Sequence, residues 1–304
     1  MQKGYSQRHL PYLYVLPLVV SMLLVHLIPM LSGVFTSFHR VDMFTIRNWF
    51  QAPYTGLNNY LQALNIFGER GQAFLNSLSV TLGFVLASLA GSYLLGLVAA
   101  LLLSKDFPGR GLLRTLFLIP YVTPQVVGLT NLEFLFQRDY GMINYLLLKL
   151  HLISQPVSWL MGQWSFATLV IANVWGIWPL WFIMLLAALQ TIPQELHEAA
   201  IVDGARRWQR FRFITLPGLR PVTRILFLLN GLWFFNSFNQ AYVLFGKTPP
   251  PPADLLSLHI YNLSFGGWNF GLGSAMSIIL LIIMLVFVLI YIRVLRVGRS
   301  LEEV

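Results

Sequence analysis

The sequence predicts an all-α, polytopic membrane protein with six transmembrane helices. Of its 304 residues, 57% are hydrophobic and only 10% are charged, whereas a soluble domain of this length needs more charge to cover its surface. Six apolar runs are long enough to cross the hydrocarbon core of a bilayer, which takes about 20 helical residues. Helices are expected rather than strands, because an isolated run in lipid must satisfy its own backbone hydrogen bonds.

The whole chain, residues 1–304, is predicted to form a single transmembrane domain. Its first apolar run follows Lys3 and Arg8, but it is too long for the apolar part of a signal peptide and lacks a small-residue cleavage site. We therefore predict a span there as well. The six predicted spans are Tyr12–Phe35, Phe74–Leu103, Thr115–Phe136, Ser165–Gln190, Val222–Phe245 and Leu272–Leu295.

The distribution of positive charge predicts the orientation of these spans. An even number of spans places both termini on one side of the membrane. That side then carries 14 of the 20 lysines and arginines, including Lys3, Arg8, Arg296 and Arg299. Because cytoplasmic loops are enriched in lysine and arginine, we expect a multi-pass protein of the cell membrane with both termini in the cytoplasm.

The second and fourth predicted spans carry packing signals rather than chemistry. Gly83, Ala87 and Gly91 recur every fourth residue, a stripe that predicts close contact with another helix. In the fourth span, tryptophans recur every third residue around a proline, at Trp175, Trp178 and Trp181, and so lie on one face of the helix. This pattern favours packing against a neighbouring subunit.

A charged segment, residues 191–221, separates the fourth and fifth spans. Pro193 suits the first turn of a helix that ends at Gly204, where glycine tolerates a left-handed turn. A second short helix, rich in arginine and aromatic residues, is expected to end at Leu216–Pro217, since the residue before proline resists the α conformation. On charge pattern alone, this segment could equally be an interfacial helix that binds anionic lipid headgroups.

The order of residues in this segment resembles the EAA loop of permease subunits in binding-protein-dependent ABC importers of the sugar type, such as those for maltose and glycerol phosphate. In that family the loop docks on a separate ATPase, and the resemblance implies the type I importer permease fold. The matching residues, which are the candidate ATPase-coupling residues, are Glu198, Ala199, Ala200, Asp203, Gly204, Ile214, Leu216 and Pro217.

The resemblance extends over most of the chain. The matching stretches are His26–Phe38, Gly56–Leu64, Phe107–Pro124, Asp139–Leu147 and Gly267–Ser277. One outer loop departs from the family: many relatives carry a Thr-x-Gly-Gly-Pro element after the fifth span, whereas this chain has a proline run at Gly246–Leu255. We expect that loop to be stiff and extended.

The resemblance implies a transport subunit that works with partners and is not itself an enzyme. The expected partners are a second permease subunit in a heterodimer, a cytoplasmic ATPase dimer, an extracytoplasmic substrate-binding protein, a sugar and the lipid membrane, but no nucleic acid. No cofactor is expected on this chain, and ATP is used by the ATPase subunits. The Gly-Lys-Thr at Gly246–Thr248 lacks the earlier glycine of a phosphate-binding loop, since Ala241 stands in its place.

The fifth span is the candidate wall of the substrate path. Amides hydrogen-bond and aromatic rings can cover the apolar faces of sugar rings, so a stripe of both suits a sugar. The open alternative is hydrogen bonding between helices. One predicted stripe consists of Asn230, Trp233, Phe234 and Ser237, and a second, overlapping stripe of Asn236, Asn239 and Gln240.

An ion-coupled secondary transporter of a small polar solute is the alternative function. Such proteins place ionisable groups near the bilayer midplane. Here only His26 and Glu133 lie within predicted spans away from the inner face, and packing or interfacial roles suit both better. The chain has no cysteine, and its six histidines lack metal-ligand spacing, so no metal site is predicted.

Overall fold

The computed structural model of the protein describes residues 10–295, and this part of the chain is helical with isolated β-bridges but no strand. Lys3, Arg8, Arg296 and Arg299, which entered the charge count, lie outside the described residues. The helices are α1 Leu10–Met22, α2 Ile28–Ser37, α3 Asn58–Leu64, α4 Glu69–Leu103, α5 Arg110–Phe117, α6 Ile119–Val122, α7 Gln125–Leu135, α8 Met142–Lys149, α9 Trp164–Gln190, α10 Gln194–Val202, α11 Arg207–Arg210, α12 Leu216–Phe235, α13 Asn239–Phe245, α14 Leu256–Tyr261 and α15 Phe270–Leu295.

Four of the predicted spans are continuous helices in the described residues. They are long and apolar enough to cross a membrane and run over Tyr12–Ser37, Glu69–Leu103, Trp164–Gln190 and Phe270–Val294. The first of them joins α1 to α2 through a π-helical turn at Leu23–Leu27. These four match the first, second, fourth and sixth predicted spans to within a few residues.

The six predicted spans appear in the described residues as four continuous helices and two interrupted ones, the third and the fifth. The helical pair Arg110–Val122 and Gln125–Leu135 bends by 93° at Thr123–Pro124 and counts as a fifth span only if the pair is taken together. Thr123 is extended there (φ −64°, ψ 128°), because proline disfavours the α conformation in the residue before it.

The fifth predicted span divides into α12 and α13 at Asn236–Phe238. The Asn236 side chain donates a hydrogen bond from Nδ2 to the Leu232 carbonyl oxygen at 3.0 Å. Short polar side chains compete in this way with the helical backbone, and a Ser follows the Asn. The polar residues that marked this span as a candidate site therefore also interrupt its helix.

The described residues form two compact units, the first comprising residues 10–74 and 260–282. In this unit the Asn59 amide closes the end of α2 by donating hydrogen bonds to the carbonyl oxygens of Ser37 (2.9 Å) and His39 (3.0 Å). The Tyr60 and Ser37 hydroxyls lie 2.6 Å apart. The Asn-Tyr pair of the Gly56–Leu64 stretch thus fixes the loop that follows the first span.

The second unit comprises residues 75–259 and 283–295, and α4 packs closely against α9 within it. A Cβ on Gly91 would lie 2.9 Å from Val174 Cγ2, and one on Gly83 would lie 3.4 Å from the Phe166 ring. The close helix contact predicted from the small-residue stripe is confirmed at both glycines.

Trp181 on α9 packs inside the chain, which contradicts its predicted packing against a neighbouring subunit, whereas Trp175 and Trp178 are half-buried. Trp181 has no exposed surface, and the Trp178 ring contacts Phe117 and Phe182. Gly96 on α4 provides the space for Trp181, since a Cβ there would lie 2.5 Å from the Trp181 Cβ. The missing side chain at Gly96 thus lets α4 approach the backbone of α9 at this buried tryptophan.

The proline run after α13 is short and packed rather than extended throughout. Pro250 is extended (φ −56°, ψ 147°), but Pro251–Ala253 form a 3-10 turn with Ala253 fully buried. The Asp254 carboxylate accepts hydrogen bonds from the Ser77 hydroxyl at 2.6 Å and from His259 Nδ1 at 2.9 Å. These contacts attach the loop to the start of α4.

Candidate functional sites

The charged segment 191–221 begins with α10, which ends as the sequence predicts. Gly204 has φ 77°, the left-handed conformation that glycine adopts without steric cost. The Gly204 amide donates to the Ile201 carbonyl oxygen at 3.0 Å, and the Ala205 amide donates to the Ala200 carbonyl oxygen at 2.8 Å. These two bonds form a Schellman motif, which satisfies carbonyls that the helix leaves open. Pro193 lies at the N-cap, one position before the predicted first turn.

The surface of α10 is mostly exposed and combines acidic and apolar groups. Glu198 is exposed and accepts a hydrogen bond at 2.7 Å from Gln194 Nε2 on the preceding turn. Leu196, Ile201 and Val202 are large apolar side chains with exposed fractions of 52%, 55% and 87%. An apolar surface beside carboxylates on a charged loop is typical of a protein-binding surface.

The helix after Gly204 continues past Leu216–Pro217, where the sequence predicted its end. Phe211–Thr215 form a π-helical turn between α11 and α12, and the Leu216 amide donates to the Phe211 carbonyl oxygen. A π turn widens the helix locally and shifts the pattern of backbone hydrogen bonds between its turns. Pro217, which has no N–H to donate, therefore fits directly after it. The two short helices that the sequence predicts are therefore α10 and an extension of α12 that runs back through the π turn to α11.

The remaining candidate coupling residues lie on α10, in the turn that ends it, or at this junction. Asp203 is the C-cap residue of α10, Ile214 is half-buried in the π turn, and Ala199 is exposed. A Cβ on Gly218 would lie 2.7 Å from Ile192 Cδ1, so the start of the segment packs against the start of α12. The segment thus begins and ends at the same point of the second unit.

A cavity of about 460 Å³ lies in the second unit at both helix interruptions. One wall comes from the bend between α6 and α7, one from the middle of α9, and one from the break between α12 and α13. Its lining residues are Pro120, Tyr121, Thr123, Gln125, Leu129, Ala172, Asn173, Trp175, Gly176, Ile177, Trp233, Phe234, Asn236, Ser237, Phe238, Asn239 and Gln240.

Six of the seven candidate substrate-path residues line this cavity. Trp233, Phe234 and Ser237 come from the first predicted stripe, and the whole second stripe is present with Asn236, Asn239 and Gln240. Both predicted stripes therefore meet in one space at the break in the helix.

Asn230 is the exception, because it lies in the core and not at the cavity. It has no exposed surface, and its Nδ2 donates to the Leu226 carbonyl oxygen at 2.9 Å. Its Oδ1 is buried without a hydrogen-bond partner in the described residues. The substrate contact predicted for Asn230 is therefore not supported by its position, two helical turns below the break.

Four of the cavity amides pair in two hydrogen bonds between helices. Asn239 Nδ2 donates to Gln125 Oε1 at 3.0 Å, and Gln240 Nε2 donates to Asn173 Oδ1 at 3.0 Å. These bonds attach α13 to α7 and α9. Interhelical bonding, the alternative reading of the polar stripe, thus occurs at Asn239 and Gln240, while Asn173 Nδ2 stays buried without a partner in the described chain.

Several lining residues escaped the sequence analysis. Trp175 was expected at a subunit interface, but it faces the cavity, and its ring fits against Gly128, where a Cβ would lie 2.8 Å from Trp175 Cζ3. Thr123 and Gln125 flank the proline bend, and Asn173 is the one amide in the interior of a long apolar helix. A proline and a lone amide inside predicted spans were the signals available for these residues.

The cavity can solvate a neutral polar molecule. Its described lining has amides, hydroxyls and aromatic rings but no aspartate, glutamate, lysine, arginine or histidine. Amides and hydroxyls can both donate and accept hydrogen bonds, and the Trp233 side chain, 55% exposed, offers an apolar face. This combination suits a polyhydroxyl compound, and the described lining offers no opposite charge to an ionised one.

Comparisons with known proteins identify the family. A family model described as "binding-protein-dependent transport system inner membrane component" matches residues 92–297. The chain is 36% identical over 300 residues to the trehalose/maltose transport system permease protein MalF of Thermococcus litoralis, covering 97% of each. It is 34% identical over 256 residues to the inner membrane ABC transporter permease protein YcjO of Escherichia coli, covering 84% of this chain and 83% of the relative.

A solved structure shows the same fold. The chain resembles one in the crystal structure of a bacterial ABC transporter involved in the import of the acidic polysaccharide alginate, with a TM-score of 0.78 and 23% identity. The match covers 96% of this chain and 97% of that one. With the family match and the near full-length relatives, the chain belongs to the inner membrane components of binding-protein-dependent transport systems, the permeases of ABC importers.

Proposed function

We propose that this chain is a permease subunit of an ATP-driven importer and forms part of the path for a sugar or related carbohydrate. The observation that carries the proposal is the neutral cavity lined by amides, hydroxyls and aromatic rings where two spans are interrupted. Broken helices are where many transporters place their substrate sites, because the interruption frees backbone groups and admits polar side chains. Relatives named for trehalose and maltose or for maltodextrin support a sugar as the substrate class.

We further propose that segment 191–221 couples this subunit to a separate ATPase. Glu198 and the apolar side chains of α10 are exposed, and the turn at Gly204 holds them in a fixed conformation. The candidate coupling residues Leu216 and Pro217 lie at the start of α12, whose far end borders the cavity. A push on α10 would thus reach the cavity through one continuous helix.

The proposed assembly contains a second permease subunit that makes a heterodimer, a cytoplasmic ATPase dimer and an extracytoplasmic binding protein. The chain itself binds no cofactor in this scheme, and the ATPase subunits use the ATP. Both termini and segment 191–221 face the cytoplasm, as the lysine and arginine distribution favours.

The ion-coupled alternative finds no support at this cavity. Ion coupling usually relies on acidic, basic or histidine side chains near the transported solute, and the described lining has none of these. His26 is exposed on the first span, and Glu133 lies on α7 without lining the cavity.

Uptake by the reconstituted importer tests the proposal. In proteoliposomes that contain the complete complex, radiolabelled maltose or trehalose should accumulate when ATP is supplied on the side of the membrane that carries the ATPase. An ion gradient without ATP should not drive this accumulation. We expect Trp233→Ala to lower the rate of uptake at low substrate concentration about tenfold. The reason is that losing a contact between the ring and the sugar worth ~1.4 kcal/mol lowers the affinity tenfold. ATP hydrolysis by the docked ATPase should remain.

Leu229→Ala is the matched control, since Leu229 lies on the same helix, is 44% exposed and does not line the cavity. Its uptake should stay within about twofold of the unaltered protein, a change of ~0.4 kcal/mol. Equal losses in the two variants, or uptake driven by an ion gradient without ATP, would contradict the proposal.

A further inference from the structure

A second cavity, of about 330 Å³, lies in the same unit where the charged segment joins α12. It does not touch the candidate substrate cavity, since the two share no lining residue. Its lining residues are Tyr93, Arg212, Phe213, Leu216, Pro217, Arg220 and Thr223. We call it the arginine cavity.

The π-helical turn places both arginines on one face. Arg212 and Arg220 are eight residues apart, which in a regular α-helix of 3.6 residues per turn puts them about 80° apart. A π turn holds one more residue than an α-helical turn. The two arginines therefore have the angular separation of residues seven apart in an α-helix, which lie two turns apart on the same face. Arg212 lies inside that turn, at Phe211–Thr215, and Arg220 lies one turn into α12.

The positive charge of the arginine cavity is not neutralised within the described residues. Arg212 and Arg220 have no ion pair or hydrogen bond there, and no carboxylate lines the cavity. The Thr223 hydroxyl is buried and also without a partner in the described chain. Arg212 and Arg220 are exposed to solvent, so an anion can reach both guanidinium groups and accept charge-assisted hydrogen bonds from them. The buried Thr223 hydroxyl gains a partner when an anion occupies the space.

We propose that the arginine cavity binds a phosphate group. Guanidinium groups bind phosphate oxygens through paired N–H donors, and the hydroxyls of Tyr93 and Thr223 are further donors in the lining. Phe213, Leu216 and Pro217 give the cavity an apolar wall that suits the ester carbons of a phospholipid headgroup. The same donors would bind inorganic phosphate, so the two sources share one recognition chemistry.

An occupied arginine cavity would tie the charged segment to the membrane part of the chain. Arg212 belongs to the π turn, Arg220 and Thr223 belong to α12, and Tyr93 belongs to α4. A phosphate that bridges these three elements would stiffen the junction at Leu216–Pro217, through which the proposed coupling must pass. The binding itself does not depend on the proposed function and can be measured on this chain alone.

The test is ligand binding by the full-length chain in a neutral detergent, measured by titration calorimetry. The probes are dioctanoyl-phosphatidylglycerol, dioctanoylglycerol, which lacks the phosphate, and inorganic phosphate. We expect saturable binding of one phosphatidylglycerol and none of dioctanoylglycerol. Inorganic phosphate that binds as tightly as the lipid identifies a soluble ligand; phosphate that binds at least tenfold more weakly identifies the lipid headgroup.

The variant R212Q/R220Q should weaken binding at least tenfold. R206Q/R207Q removes the same charge from two exposed arginines outside the cavity and should change binding less than twofold. Equal weakening in both variants, no weakening in either, or equal binding of dioctanoylglycerol would overturn the proposal. If R212Q/R220Q does not fold, Thr223→Val decides, because it removes only the hydroxyl: about threefold weaker binding supports the site, and unchanged binding overturns it.

Discussion

At Gly204 the backbone itself sets the requirement for glycine. The residue has φ 77°, and a Cβ built there meets no atom within 4 Å. Side chains therefore have room at this position, and what excludes them is the left-handed conformation, which costs an L-residue roughly 1–2 kcal/mol. The turn that ends α10 depends on that conformation through the amides of Gly204 and Ala205.

We predict that Gly204→Ala loosens this turn and uncouples transport while the chain still inserts in the membrane. Strain of ~1 kcal/mol at the turn should lower sugar uptake per ATP hydrolysed, measured together in proteoliposomes. Gly204→Asn is the control, because asparagine enters the left-handed region more readily and adds a side chain of greater size. Normal coupling in the alanine variant, or a larger defect in the asparagine variant, would contradict the importance of the turn.

Among the elements, α4 and α9 owe their close approach to glycines on α4. A Cβ on Gly96 would lie 2.5 Å from the Trp181 Cβ and 2.9 Å from the Phe182 amide nitrogen. Neither neighbour can yield easily, since one is attached to a fully buried ring and the other is backbone. The two helices must separate to admit even a methyl group.

Gly96→Ala should therefore destabilise the chain by about 1–3 kcal/mol, the usual cost of overpacking a core. The measurement is the midpoint of thermal or denaturant unfolding in detergent. Gly33→Ala in the first span is the matched control, because a Cβ on Gly33 would have no neighbour within 4 Å among the described residues. It should be neutral or slightly stabilising, since alanine favours a helix. A Gly96→Ala variant as stable as Gly33→Ala would refute the packing described here.

The elements show what the sequence can and cannot predict. Hydropathy located four continuous spans to within a few residues, because the thickness of the bilayer sets their length. It missed the two interruptions, although Thr123–Pro124 and Asn236–Phe238 carried local signals, since the apolar run continues across both breaks. The conformational restriction on the residue before proline predicted the end of a helix at Leu216–Pro217, where a π turn lets the helix continue.

The sequence predicts the polar stripe of the candidate substrate site but not the cavity that the stripe faces. Trp233, Ser237 and the amides near them were recognised because polar groups are rare in an apolar span. That Trp175 and Asn173 face them from α9 depends on tertiary packing, which one sequence does not encode locally. Asn230 fitted the stripe by periodicity, but it lies in the core, because periodicity gives the face of a helix and not what covers it.

For the whole molecule, the proposed orientation rests on an unequal distribution of lysine and arginine over the two sides. The natural chain has no cysteine, so a single introduced thiol reports its own accessibility. In intact cells, a membrane-impermeant thiol reagent should label Lys247→Cys and leave Trp208→Cys unlabelled; after permeabilisation both should react. Trp208 is 66% exposed, so its protection in intact cells would come from the membrane and not from burial in this chain. Labelling of Trp208→Cys in intact cells would reverse the topology.

The central claim is that α10 transmits force from a separate ATPase to the spans. Its most direct test is an oxidative cross-link from Ala199→Cys, the only thiol of the chain, to single cysteines placed on the surface of the copurified ATPase. We predict a cross-linked permease–ATPase product whose yield changes when ATP binds, and no such product from Lys247→Cys. A complex that transports sugar yet gives no cross-link from Ala199→Cys to any site on the ATPase would contradict the claim.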